Sequence, residues 1–283
     1  MKRLGLALVV IVASSASART LTVSGEDCTA RNFNFDGAPA LVAKETIDAR
    51  GARSLKAAVE HAPVSVIGDS ASGYTIDVCK AAKRAEDLSA IRVSFDGEEL
   101  KADGPSGRNH DWTVTYRIHA PRNANLDVAT ENGPLSIRDV DGKVIAHTEN
   151  GPLTLDNLSG EVEAQAANGP ISIDGGSGTM KVRASNGPLS VDLDGASWNG
   201  TLDASTKNGP LSLRIPRNYN SGVVVESRGH GPVSCRAEGC ERARRTWKDT
   251  DDWDDEPRTI ELGSGTQNVR LSTVNGPVTI KDE

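Results

Sequence analysis

The sequence predicts an all-β chain: a β-solenoid of stacked two-strand coils of about 18–22 residues, with an irregular β N-terminal part. Three observations predict it. A seven-residue phrase keeps returning, as ENGPLSI from Glu131, ENGPLTL from Glu149, ANGPISI from Ala167, SNGPLSV from Ser185 and KNGPLSL from Lys207, then more weakly as GHGPVSC from Gly229 and VNGPVTI from Val274. Its anchor residues Asn132, Asn150, Asn168, Asn186, Asn208, His230 and Asn275 stand 18, 18, 18, 22, 22 and 45 residues apart. Around each anchor, apolar and polar side chains alternate with the period of a strand that buries one face.

Taken in order, the chain opens MKRLGLALVVIVASSASA: two cations, an apolar run from Leu4 to Val12, then Ala16-Ser17-Ala18. Residues 1–18 read as a secretory signal peptide cut after Ala18. No later stretch approaches the length of a membrane-spanning apolar helix, so no transmembrane segment is expected. Without Lys2 and Arg3 the formal net charge moves from −7 to −9, which argues against a nucleic-acid or anionic-membrane partner. The four cysteines of an exported chain are compatible with two disulfides, and three pairings are possible. Cys235 and Cys240 are five apart, a local closure that would leave Cys28 with Cys79.

Residues 19–111 form an N-terminal β region with one degenerate coil around 46–68. There His61-Ala62-Pro63-Val64-Ser65-Val66 lies over Asn-Gly-Pro-Leu-Ser-Ile, and Leu55, Ala57 and Val59 fall six, four and two places before His61. Tyr74–Val78 and Ile91–Phe95 alternate as strands, and Phe95-Asp96-Gly97-Glu98 reads as a hairpin turn. Lys80–Leu88 forms one or two helical turns or a charged loop.

The solenoid repeats resume at Trp112 and run through residues 112–283, with a charged insertion at 236–258. In each coil Asn-Gly signals a turn, because both residues tolerate positive φ, and the proline opens the strand that follows. Leu135, Leu153, Ile171, Leu189, Leu211, Val233 and Val278 then point inward, followed two places on by Ile137, Leu155, Ile173, Val191, Leu213, Cys235 and Ile280. Between them runs a polar column of Ser136, Thr154, Ser172, Ser190, Ser212, Ser234 and Thr279. A first strand precedes each anchor, with Leu126, Val144, Val162, Met180, Leu202, Val224 and Val269 six places before it. Glu226 and Arg228 break the inward series, and a bulge at Val223–Val225 would restore it. RIHAPRNANLDV from Arg117 resembles RIPRNYNSGVVV from Arg214.

No side-chain constellation points to chemistry. The acidic run from Asp249 to Glu256 offers oxygen ligands, but Trp253 and Asp254 stand where an EF-hand loop needs an acidic or amide residue and then Gly. It is read instead as folding back on Arg242, Arg244 and Arg245. The histidines His61, His110, His119, His147 and His230 are scattered, and no catalytic, metal or cofactor motif is present. Asp139, Asp156, Asp174 and Asp192 follow the inward strands; the last three share one template place, which arginines fill in other coils, at Arg138 and Arg214. That mixture describes a solvated edge. The Asn row is expected to hydrogen-bond its turns and stack from coil to coil.

WTVTYRIHAPRNANLDVATENGPLSI from Trp112 and IELGSGTQNVRLSTVNGPVTI from Ile260 resemble the bacterial putative-adhesin family, exported proteins built on N-G-x-[LIV]-x-[LIV] coils. The resemblance implies a surface or envelope role and is nearly silent about chemistry. The expected function is therefore a non-catalytic exported scaffold at the periplasm or cell surface, its partner an envelope component, with a glycan one candidate. The rival is a polysaccharide-binding or polysaccharide-acting β-helix protein.

Overall fold

The computed structural model describes residues 8–12, 19–23, 27–61, 63–107, 109–229, 231–241 and 258–282. The acidic run, the arginines at 242, 244 and 245, and His230 lie outside the described residues.

A small antiparallel sheet comes first: β1 (Leu8–Val12), β2 (Arg19–Val23), β3 (Phe33–Phe35) and β4 (Ala38–Pro39). Its first strand lies within the stretch read as a leader, so cleavage after Ala18 would leave β2 at the edge. The chain continues through β5 (Leu41–Ala49), β6 (Leu55–Val59), β7 (Val64–Asp69), β8 (Tyr74–Ala82), α1 (Ala85–Ala90), β9 (Arg92–Phe95), β10 (Glu99–Asp103) and β11 (Trp112–Pro121). Strand pairs follow, each pair one coil: β12–β13 (Asn125–Asn132, Leu135–Arg138), β14–β15 (Lys143–Asn150, Leu153–Asp156) and β16–β17 (Glu161–Asn168, Ile171–Asp174). Next come β18–β19 (Gly178–Asn186, Leu189–Asp192), β20–β21 (Gly200–Asn208, Leu211–Ile215) and β22–β23 (Gly222–Ser227, Val233–Cys235). The chain closes with β24 (Arg258–Leu262) and β25–β26 (Gln267–Asn275, Val278–Asp282).

These strands build two eleven-stranded sheets, ordered β24-β22-β25-β20-β18-β16-β14-β12-β6-β10-β9 and β23-β26-β21-β19-β17-β15-β13-β7-β11-β8-β5. Pairing is parallel through the interior and antiparallel where β8, β5, β9 and β24 close the ends. Long parallel sheets of alternating membership fit a β-helix or solenoid. Their inner faces share one apolar core, and like residues meet in register. Leu126, Val144, Val162, Met180, Leu202 and Val269 stand in one file. Leu135, Leu153, Ile171, Leu189, Leu211 and Val278 stand in the facing one, all buried. Each large side chain contributes about 1.5–3 kcal/mol by leaving water. The inward threonines are satisfied locally: the Thr148, Thr206 and Thr273 hydroxyls donate to the carbonyls of Gly151, Gly187 and Gly209 at 3.1, 2.8 and 3.0 Å.

At the turn glycine the neighbouring coil adds a constraint to the one its motif implies. Among the described residues the positive-φ non-glycines are Asp36, Asp139 and Asn157, so the anchor asparagines end their strands in ordinary conformations. A Cβ on Gly151 would lie 2.1 Å from the carbonyl oxygen of Gly133, and one on Gly169 2.2 Å from that of Gly151. The backbone of the neighbouring coil therefore excludes any side chain there.

Two sequence expectations need correction, the start of the degenerate coil and the place of the bulge, and the strand order adds two further findings. The degenerate coil starts at Leu55, not near Thr46, because Leu41–Ala49 is the outermost strand of its sheet, beside β8. Trp112–Pro121 does not lie between that coil and the next. It pairs with the outer side of β7, and β12 and β13 take the inner side. At the far end β25–β26, last in sequence, sits between β20–β21 and β22–β23. In β22 the inward file is Val223, Val225 and Ser227, opposite Val269, Leu271 and Thr273, so Val224 leaves the column. The strand irregularity falls on the partner, where Asn268 is skipped between Gln267 and Val269 and its Nδ2 donates to the Trp198 carbonyl at 2.6 Å.

The two echoed segments mark these departures. After β11 and after β21 a Pro-Arg-Asn turn is closed by the Ala124 N–H on the Pro121 carbonyl and the Tyr219 N–H on the Pro216 carbonyl, both at 3.0 Å. Each turn leads the chain past one coil: β11 to β12 over β6, and β21 to β22 over β25. The hairpin at Asp96-Gly97 joins β9 to β10 as expected, with Asp96 Oδ1 accepting the Glu98 and Glu99 N–H groups. Lys80–Leu88 splits between the end of β8 and the helix α1.

Candidate interaction face and its pocket

Alternation leaves the intervening side chains of the second sheet on its outer face. There Ser65, Ser136, Thr154, Ser172, Ser190, Ser212, Thr279 and Ser234 face one another strand by strand, spaced by about 4.8 Å. The file continues past Ser65 into the charged pair Arg117 on β11 and Asp77 on β8, and ends on Thr46 of β5. Thr46 Oγ1 donates to Asp77 Oδ1 at 2.8 Å.

The corner between the sheets carries the asparagine ladder. Nδ2 of Asn150, Asn168, Asn186, Asn208 and Asn275 donates to Oδ1 of the preceding asparagine in the stack at 3.1, 3.1, 3.0, 2.9 and 2.9 Å. Asn132 Nδ2 ends the row on His61 Nδ1 at 3.0 Å. The hydrogen bond from Asn275 to Asn208 spans 67 residues of sequence, so the ladder follows the stack and not the chain.

At the end of the hydroxyl file the small N-terminal sheet folds over the outer face. Val23, Phe33, Phe35 and Ala40 pack on Cys79 and Ala81 in a second core, separate from the main one. Cys28 is bonded to Cys79 and so pins this cover to β8, while Cys235 is bonded to Cys240 beside the short edge strand β23. A cavity of about 410 Å³ lies where cover and sheet meet. Its floor includes Thr46, Asp77, Arg117, Ser65 and Ser136, and Val23, Asp27 and Cys28 line the cover side. Glu45, also lining it, forms an ion pair with Lys80.

The remaining polar clusters are hydrogen-bonded pairs and files along the strands and loops. Asp87 is 1% exposed and bound at 2.9 Å by both Nε and Nη2 of Arg84 and at 2.7 Å by His110 Nδ1. The Arg84 guanidinium, then His110, hold the Asp87 carboxyl below the usual carboxylate range against the opposing effect of burial. This fastens α1 to the loop before β11. His119 Nδ1 meets Asp69 at 3.2 Å and His147 meets Glu149 at 3.5 Å, far from one another in the stack. Asp156, Asp174 and Asp192 stand in file on adjacent strands, with Asp192 bound by Arg214 at 2.7 Å. Asp139 sits one place further, in the turn, where Asn157 Nδ2 donates to it at 2.7 Å. Burial pushes the Tyr116 phenol up, and the Tyr219 phenol is likewise pushed up to about 12. Among the described residues no group of His, Cys, Asp or Glu is arranged to hold a metal ion, and no helix is long and apolar enough to cross a membrane.

Sequence reasoning found the hydroxyl column and the ladder but missed the pocket. Thr46, Asp77 and Arg117 come from three strands whose adjacency no local pattern announces.

No protein-family model and no curated protein matches the chain. Solved structures that match it include a putative cell adhesion protein from Clostridium sporogenes, 13% identical, covering 86% of this chain and 100% of that one, with a TM-score of 0.29. A putative adhesin from Bacteroides fragilis is 9% identical over 86% of this chain and 97% of its own, with a TM-score of 0.38. One from Parabacteroides merdae is 11% identical over 86% and 96%, with a TM-score of 0.31.

Proposed function

We propose that the chain is an exported, non-catalytic β-solenoid of two-strand coils, an adhesin-like or cell-envelope scaffold that meets an envelope or surface component through an outer face. The observation that carries this is the hydroxyl file, running in register over eight adjacent strands from Ser65 to Ser234. An enzyme concentrates its rate in one or two groups whose environments set their protonation. This face repeats one small hydroxyl coil after coil, as suits contacts spread over a surface. The apolar leader at residues 1–18 and the two disulfides support delivery to an oxidising compartment, the periplasm or the cell surface.

Co-sedimentation of the purified protein with isolated bacterial envelopes tests the reading. Wild type should pellet with envelopes, and Ser172→Arg with Ser190→Arg should reduce this about fivefold with an unchanged melting temperature. Failure to pellet, or indifference to the double change, contradicts it. The non-catalytic part predicts no product from common bacterial polysaccharides. Hydrolysis abolished by Asp174→Asn in a folded protein would reverse that part.

A further inference from the structure

We infer that the cavity between the N-terminal cover and the second sheet binds the end of an uncharged oligosaccharide, whose following units lie along the hydroxyl file. This rests on the interaction-face reading and narrows it to one chemical class.

Size comes first. About 410 Å³ falls within the roughly 300–1,000 Å³ of small-molecule sites and accommodates one or two hexose rings. The polar groups come next. Asp77 offers a carboxylate acceptor, Arg117 a guanidinium donor, and Thr46, Ser65 and Ser136 offer hydroxyls that donate and accept. A sugar presents hydroxyl groups at neighbouring ring carbons, each able to donate to a carboxylate and accept from a guanidinium. An adjacent Asp and Arg on paired strands supply both halves of that match.

Charge excludes the main competitors. The lining cations Lys44 and Arg117 are balanced by Asp27 and Asp77, and Glu45 is paired with Lys80. A phosphate or polyanion site needs surplus cations, and a divalent-cation site needs surplus carboxylates. Among the described residues the pocket has neither. Pro63 and Pro134, with the Cys28–Cys79 bridge, add apolar patches against which the C–H faces of a pyranose can rest.

The file supplies direction. Ser136 lines the cavity and is followed strand by strand by Thr154, Ser172 and Ser190. The strand spacing of about 4.8 Å is close to the rise of one hexose unit in an extended glycan, so successive units meet successive hydroxyls.

Calorimetric titration of the full secreted chain tests this, with cellobiose, cellohexaose, mannohexaose and chitohexaose as neutral probes and hexagalacturonic acid as the charged control. At least one neutral hexasaccharide should bind about tenfold more tightly than the acid. Asp77→Asn, which keeps an acceptor for Thr46, should weaken it about tenfold without moving the melting temperature, and Ser136→Val should act in the same direction. Thr154→Val with Ser172→Val should weaken the hexasaccharide about threefold and leave cellobiose unchanged. Binding of no neutral probe, preference for the acid, or indifference to Asp77→Asn and Ser136→Val overturns the proposal. A negative titration with envelope co-sedimentation intact rejects the saccharide pocket and leaves the interaction face standing. Loss of both rejects both.

Discussion

Between Asn125 and Ile215 the order of coils in space is the order in sequence, while at both ends of the stack the two orders part. In the middle each coil meets the one before and the one after, and the inward files repeat closely similar side chains. At the N-terminal end β10 and β11 lie outside β6 and β7, and at the C-terminal end β25–β26 lies inside β22–β23. A repeated template fixes how two coils register but not which two become neighbours. Where the neighbour must be specified, the chain uses parts that do not repeat. These are the two Pro-Arg-Asn turns, the surplus Asn268, the antiparallel strands β8, β5, β9 and β24, the α1 lock and both disulfides. Of these, β24, β9 and β5 are the outermost strands of their sheets.

The largest expected effect breaks the middle. Leu153 is 0% exposed between Leu135 and Ile171, so Leu153→Asp places an unpaired carboxylate in the core and should cost more than about 4 kcal/mol. Thr154→Asp, one residue on and facing out, should change stability by less than about 0.5 kcal/mol. Chemical denaturation checks both, and equal losses would reject the assignment of faces.

A smaller effect should be confined to one end. Replacing Cys28 and Cys79 by Ser opens a closure of 51 residues and should cost about 2–4 kcal/mol, lost from the N-terminal cover first. Hydrogen exchange should quicken in β3 and β8 while β14–β19 keep their protection. Uniform quickening would show that ends and middle form one cooperative unit.

The α1 lock sharpens the comparison through pH. The Asp87 carboxyl is held below its ordinary range, so its contribution is present above the unfolded carboxylate value and lost as pH falls through the folded one. Asp87→Asn should lower the melting temperature at neutral pH and flatten the acid limb of its pH profile. An unchanged acid limb would mean the lock contributes nothing.

Much of the middle was legible because period-two alternation and the Asn-Gly-Pro phrase both report local geometry. Leu135 through Val278 needed only counting. The ends were not legible, since Asn275 fits equally well on Asn208 or after His230 when every coil shares one template. The turn signal marks Gly151 but not what crowds it, because the carbonyl of Gly133 comes from a different coil. The KAAKRAEDL stretch reads as helical turns or a charged loop, and nothing in it marks Asp87 as buried, because its partners include His110 from a distant loop. The pocket was hidden for the same reason, its floor being assembled from strands far apart in sequence.

The exchanged order at the C-terminal end is the most direct test of how this stack is built. Ser205 faces Ser272 on the adjacent strand, and Glu226 lies one strand further, opposite Ser272. Under mild oxidation the Ser205→Cys/Ser272→Cys protein should form an additional disulfide, detected by peptide mapping, while Ser205→Cys/Glu226→Cys should not. A cross-link between 205 and 226, with none between 205 and 272, would place β22 against β20 and contradict the account.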